Sequence, residues 1–285
     1  ILDRIPASQV ERIELIRGQS QGIDFQGQSV LANVYLRTDI PATVRWQLWA
    51  LYNMTSPFKP GASISMSDRW SEIDFNAGID VERDTSGWVG YESRFDVDRI
   101  LTEAGPDDSS EKGLRLNSLN LNASTWMGEN FVQINTRVTA NKTTYLRPSY
   151  SVTQAPGNRR RDVFIDTRNR NLEYELGADA ERSLSNKLIG KLILLYINND
   201  ADSNTSQENT DSILGRTLFR LVETNTAGME QITRLEFDWS GIADHALQFN
   251  AERAYNVLER ALVQTDERGA GPVSVEVPGA NSRVE

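Results

Sequence analysis

Few side chains in this sequence carry chemistry beyond hydrogen bonding and charge. His245 is the single histidine, and cysteine is absent. A lone imidazole with no serine or aspartate arranged around it reads as an exposed turn residue, not a general base. Without thiols there is no disulfide scaffold, thiolate metal site or cysteine nucleophile. Glu173 and Glu175 form a carboxylate pair of the kind that hydrolyses glycosides. On an extended strand, however, an i, i+2 spacing marks one polar face. The stretch "DADSNTSQENTD" (200–211) puts Asp200, Asp202 and Asn204 at the first three ligand positions of a calcium loop. Thr205 stands where that loop needs glycine, and Asp211 where it needs glutamate, so an acidic surface loop is the better account. In "NRRRD" (158–162) three consecutive arginines suit an anionic ligand, with a solvated loop as the plainer alternative. No glycine-rich loop of phosphate-binding spacing occurs. The expectation is a protein that is not an enzyme and uses no cofactor.

The elements that hold these residues are mostly strands. In "EIDFNAGIDVE" (72–82), Ile73, Phe75, Ala77, Ile79 and Val81 alternate with Asp74, Asn76, Gly78, Asp80 and Glu82. "FVQINTRVTAN" (131–141) and "NLEYELGADAE" (171–181) alternate in the same way. So does "ALQFNAERAYNV" (246–257), with Arg253 a misfit on the apolar side. Period two over such lengths predicts half-covered strands. Segment 187–197 carries apolar residues on both faces, and 114–127 slips phase near Ser118, as a bulge would. About nine strands are expected from residue 43 onward: 43–54, 61–67, 72–84, 114–127, 131–145, 170–181, 187–198, 229–240 and 245–258. Short polar turns fall near 67–71, 127–130, 182–187 and 240–245. Long polar links are expected over 99–113, 147–162, 199–228 and 259–285.

Short turns at one end and long links at the other suit an antiparallel transmembrane β-barrel. A soluble sandwich also alternates, with the apolar side inward, and stays the alternative as a surface protein that binds glycans or adheres. Trp46, Tyr52, Trp126, Tyr145, Tyr196, Trp239 and Tyr255 sit towards strand ends, where interfacial girdles form.

Bulk composition narrows the classes. The chain has 285 residues, 25% charged and 39% hydrophobic, which predicts an ordered chain with one or two domains. A net charge of −10 argues against nucleic acid as a partner. The longest apolar run, "KLIGKLILLYI" (187–197), is about half of a membrane helix. The first residues, Ile1, Leu2 and Asp3, show neither an initiator methionine nor a leader, so processing or a fragment is expected.

Residues 1–38 differ from the rest. They read as a helical turn over 7–10, a strand over 12–17, a polar loop holding Gly18, Gly22 and Gly27, and a strand over 29–37. The segment "VERIELIRGQSQGIDFQGQSVLANVYLRT" (10–38) resembles the last part of the plug domain of TonB-dependent outer-membrane receptors. Val10 to Gly18 follow that family's I-E-R-I-E-V-L-R-G strand, and Val30, Leu31, Asn33, Val34, Leu36 and Arg37 its second strand. The usual Gly-Gly before that second strand is replaced by "GQSVLANV".

The resemblance implies a small α/β plug remnant over 1–38 and the N-terminal portion of a barrel over 39–285, not closed. The chain would then be an internal fragment of a larger receptor in the outer membrane of a Gram-negative bacterium. It implies energised uptake of a scarce solute such as a siderophore, cobalamin, glycan or peptide. It also implies the TonB–ExbB–ExbD complex as motor, and outer-membrane lipid and lipopolysaccharide as surroundings, whose phosphates 158–162 would touch. Arg12, Glu14 and Arg17, taken together along one edge, would face barrel carboxylates such as Glu173, Glu175, Asp179, Glu236 and Asp238, with Arg17 the foremost contact. Gly18, Gly22 and Gly27 would shape the plug turns.

Overall fold

The computed structural model describes residues 10–17, 30–36, 42–53, 56–153, 158–242, 245–269 and 271–285. Among them there is no helix. The helical part of the expected α/β segment falls on 7–9, outside the described residues, while Val10 already belongs to a strand. Strands β1 (Val10–Arg17) and β2 (Val30–Leu36) form a two-stranded antiparallel sheet, with Glu14 opposite Asn33 and Arg17 opposite Val30.

The rest is one antiparallel sheet of eleven strands, two more than the sequence suggests. The long strands are β3 (Thr43–Asn53), β4 (Ser56–Trp70), β5 (Ile73–Phe95), β6 (Leu101–Met127), β7 (Asn130–Thr153), β8 (Arg160–Ser185), β9 (Leu188–Asp211), β10 (Gly215–Trp239) and β11 (Leu247–Glu267). Each pairs with the next in sequence. Short β12 (Pro272–Val275) and β13 (Ser282–Val284) both pair with β11. No described strand joins β3 back to the β11 side, so the sheet is not closed.

The expected long links are mostly strand. β6 runs for 27 residues and β8 for 26, where a tilted membrane strand needs about 9–11. At about 3.3 Å per residue, β6 spans roughly 90 Å. Residues 101–113, 147–153, 160–162, 199–211, 215–228 and 259–267 extend the ladder, and among the described residues of these links 99–100, 158–159, 212–214, 268–269 and 276–281 are not strand. The cause is chemical. In most of these extensions both faces are polar, and in 215–228 Leu218 and Val222 fall on one face and Phe219 and Leu221 on the other, so hydropathy no longer alternates although the backbone bonds continue. Cross-strand polar pairs support them: Thr167 Oγ1 meets Thr205 Oγ1 at 3.0 Å, and Ser203 Oγ donates to Asn169 Oδ1 at 2.8 Å.

At the opposite end the turns are tight. Ser71 (φ 57°) and Gly128 (φ 66°) take the left-handed conformation that two-residue hairpins need. The phase slip in β6 is a bulge: the register shifts between Leu116 and Leu119, and Asn117 Nδ2 donates to Asp80 Oδ1 at 2.7 Å.

Alternation and register assign two faces. One apolar row runs Trp46, Ile64, Ile79, Leu119, Val138, Tyr174 through successive cross-strand partners. A second runs Ala180, Leu192, Leu235, Ala251. Trp46, Tyr52, Tyr196, Trp239 and Tyr255 lie on this face. Trp126 and Tyr145 instead share parity with the polar face, and Trp126 packs on Phe131 with ring centroids 5.3 Å apart. These two therefore leave the expected girdle.

Candidate functional site

The two faces differ in cover: apolar side chains are exposed and polar ones are buried. Among the described residues the only buried apolar side chains are Ala104 and Leu218. Leu121, Leu176 and Phe249 on the apolar face are 49%, 48% and 58% exposed. Buried residues are mostly polar: Glu103, Asp107, Ser109, Ser118, Thr143, Asp211, Glu236 and Asp266. The covered, polar face is the candidate site.

Its lower part lies behind the apolar rows. Register places Glu173, Glu175 and Asp179 of β8 on the same face as Glu236 and Asp238 of β10, across Asn199, Ile197 and Ile193 of β9. Asn199 Nδ2 donates to Glu173 at 3.5 Å. Arg137 stands opposite Glu175. Glu236, 3% exposed, lies 3.6 Å from Arg234, which also binds Glu252 at 2.6 Å. The structure thus brings the five expected wall carboxylates onto one face, already interleaved with cations. The side chains of Arg12, Glu14 and Arg17, and Gly18, Gly22 and Gly27 altogether, lie outside the described residues.

The upper part, on the strand extensions, was not anticipated. Glu103 of β6 takes Arg94 Nη1 at 3.1 Å and Arg161 Nη1 at 3.2 Å. Arg161 also approaches Asp211 at 3.8 Å, and Arg159 Nε lies 2.5 Å from the same carboxylate. Asp211 accepts the amides of Ile213 (2.9 Å) and Leu214 (3.1 Å) as well. Arg147 Nε donates to Asp107 at 2.7 Å, and its guanidinium sits 5.7 Å from the centre of the Trp88 ring. Asp266 receives Arg220 Nε and Nη2, both at 2.8 Å. Ion pairs therefore tie β5, β6, β8 and β9 together across intervening β7.

Proton affinities follow the pairing. The hydrogen bond from Arg147 holds the Asp107 carboxyl below the usual carboxylate range. Burial pushes Asp211 up, but the two amides and Arg159 more than offset this and leave it depressed. Arg220 holds Asp266 far below the ordinary value, against burial and with help from Gln264.

Arg159 and Arg161 of "NRRRD" share the polar face, while Arg160 takes the opposite one. There it pairs with Asp162 at 2.6 Å and stacks 4.1 Å from the Tyr150 ring. Alternation splits the run between the two faces, and from Arg160 onward it is strand and not loop. Asp200, Asp202 and Asn204 lie along β9, extended and unable to wrap an ion, so the acidic loop is a strand. No group among the described residues gathers three metal-ligating side chains. His245 is exposed in the link before β11. What the polar face can do is exchange hydrogen bonds and ion pairs with something charged or polar set against it. No protein-family model matches the chain, and no curated protein matches its sequence.

Proposed function

We propose that this chain is part of the wall and plug of an outer-membrane active-transport receptor of the TonB-dependent kind. Its solute is a scarce one such as a siderophore, cobalamin, glycan or peptide. The observation that carries the reading is the inverted cover of the large sheet: apolar side chains exposed on one side, buried carboxylates and arginines on the other. Water penalises that arrangement, whereas a bilayer outside and a wet lumen inside favour it. The apolar stretches match a hydrocarbon band in length. On β8 it runs from Leu172 to Ala180, with Arg170 and Arg182 at its ends on the same face.

In this reading β1 and β2 belong to a plug whose Arg17 and Arg12 exchange ion pairs with Glu173, Glu175, Asp179, Glu236 and Asp238, while Glu14 meets wall cations interleaved with them, such as Arg137. A pull from the TonB–ExbB–ExbD complex would break such contacts more readily than apolar packing, since water and wall charges replace them. The extensions rise beyond the membrane, braced by the Arg–carboxylate chain from Arg94 to Arg159. β3 and β11 run in the same direction, because eight hairpin reversals separate them. Closure by antiparallel pairing throughout therefore takes an odd number of further long strands, which gives the even total of bacterial barrels.

The absence of cysteine makes the test simple. Leu176→Cys and Glu175→Cys are each labelled with a small fluorophore in bilayer-reconstituted protein. Bromine-labelled lipid chains should quench the probe at 176 and spare the one at 175. Equal emission at both sites, from protein that stays in the aqueous fraction, would establish the soluble surface protein instead.

A further inference from the structure

Two charged residues interrupt the apolar face: Asp68 of β4, beside the turn and opposite Phe75, and Arg253, which lies far from either end of its row. Arg253 stands on β11 opposite Thr233, in the row Leu247, Phe249, Ala251, Arg253, Tyr255, Val257. It is exposed, and no carboxylate pairs with it among the described residues. It lies midway between Leu247 at the turn end and Glu259, the first charged residue of that row past the apolar stretch. In a band about 25 Å tall that midpoint is ~12 Å from either surface, beyond the reach of an arginine side chain.

The same place has a backbone deficit. Over Leu247–Val257, β11 is hydrogen-bonded to β10, while its other edge carries β13 only at Leu258–Arg260 and β12 only at Gln264–Glu267. Unpaired amides and carbonyls facing hydrocarbon are not tolerated in a bilayer.

We propose that a β-strand descending in line with β12 and β13 pairs with β11 across Leu247–Val257. It carries an aspartate or glutamate on the outward face beside Arg253. The proposal rests on the reading of the large sheet as a membrane wall. One added strand of this chemistry removes both deficits, since it supplies ladder partners and a counter-charge at the same depth. A second copy of the chain does not serve. Because β3 and β11 run the same way, a copy in the same membrane orientation would meet β11 in parallel at either edge. Its β3 brings Val44, Trp46 and Leu48 to that face, with no carboxylate. Two β11 strands would set Arg253 near its own counterpart. Lipid phosphates stand too far away.

The test uses the whole protein in lipid bilayers, with unfolding followed in denaturant for Arg253→Leu and Arg253→Lys. With a carboxylate partner, the leucine variant strands a charge, and the folding constant falls about 10²- to 10³-fold. The lysine variant keeps most of it. A leucine variant stabilised about 10²-fold would mean that Arg253 faces lipid, and would overturn the proposal. An unchanged constant in protein that still requires detergent overturns it equally. An unchanged constant in protein soluble without detergent would instead defeat the membrane reading itself. As a check independent of folding yield, a photo-crosslinking side chain at 253 should capture a peptide containing Asp or Glu, and capture of lipid alone would refute the partner.

Discussion

Leu176 offers the sharpest perturbation of the inverted sheet. It sits at the middle of the apolar stretch of β8, between Leu172 and Ala180, and is 48% exposed. Its cross-strand partners are Thr136 and Tyr196, neither charged. Replacing it by arginine removes little packing within the protein, because half of the side chain touches nothing there. In water such a change at a half-exposed site costs within about 0.5 kcal/mol, and the long aliphatic stem can lie along the sheet. At the centre of a hydrocarbon band the same arginine costs ~2–4 kcal/mol. The two settings therefore differ by on the order of 10²-fold in the unfolding equilibrium. Urea titration of the bilayer-folded protein, monitored by tryptophan emission, measures the difference. Moving the arginine along β8 sharpens the test, since at Ala180, near the turn end, the penalty should shrink to about 0–1 kcal/mol. A flat profile, with both variants as stable as the parent, would refute the assignment of this face to lipid.

Four further outcomes follow from the polar face. Asp107→Asn keeps the shape but removes the charge that Arg147 meets in a buried setting, so stability should fall by about 1–3 kcal/mol, read as a lower denaturant midpoint. Asp107, Asp211 and Asp266 all have depressed proton affinities in the folded state. Their stabilisation is thus complete above the unfolded carboxylate range near pH ~4 and is lost as pH falls through the folded values. Amide exchange over 101–111 and 205–211 should accelerate below pH ~4, ahead of 172–180, and uniform exchange would contradict this. Gly105→Ala places a Cβ 1.8 Å from the Tyr150 carbonyl oxygen, so the tips of β6 and β7 should part and become cleavable by protease near 96–100 while the lower sheet survives. Arg17→Glu should impair uptake, and Glu175→Arg in the same chain should restore part of it; no restoration would remove Glu175 as its partner.

The lower sheet was legible because one solvent boundary writes a period of two. Phe75, Val138 and Leu176 alternate with Asn76, Arg137 and Glu175, and the segments found that way are strands in the structure. The bulge at Asn117 was legible for the same reason, as a phase slip. Above the apolar stretch that boundary is gone. Lys112, Ser110 and Asp108 face one way and Glu111, Ser109 and Asp107 the other, all polar, so the sequence looks like a loop although the ladder continues. Hydropathy has no term for a strand held by backbone bonds and ion pairs alone.

The ion pairs themselves hide for a related reason. Glu103 and Arg161 are 58 residues apart, and they meet because β6, β7 and β8 are in register, with Arg161 reaching over β7. No local pattern encodes that. "NRRRD" is the instructive failure: read as composition it is a basic cluster, but read as a strand it must deal Arg159 and Arg161 to one face and Arg160 to the other. The first two then join Glu103 and Asp211, and the third joins Asp162. Had the extension been recognised as strand, the alternation alone would have broken the cluster. A single chain here carries two patterns along each hairpin, an exposed apolar face below and charge pairing above. The feature that fits neither, Arg253 in the apolar row, is therefore the place where a missing neighbour should be sought.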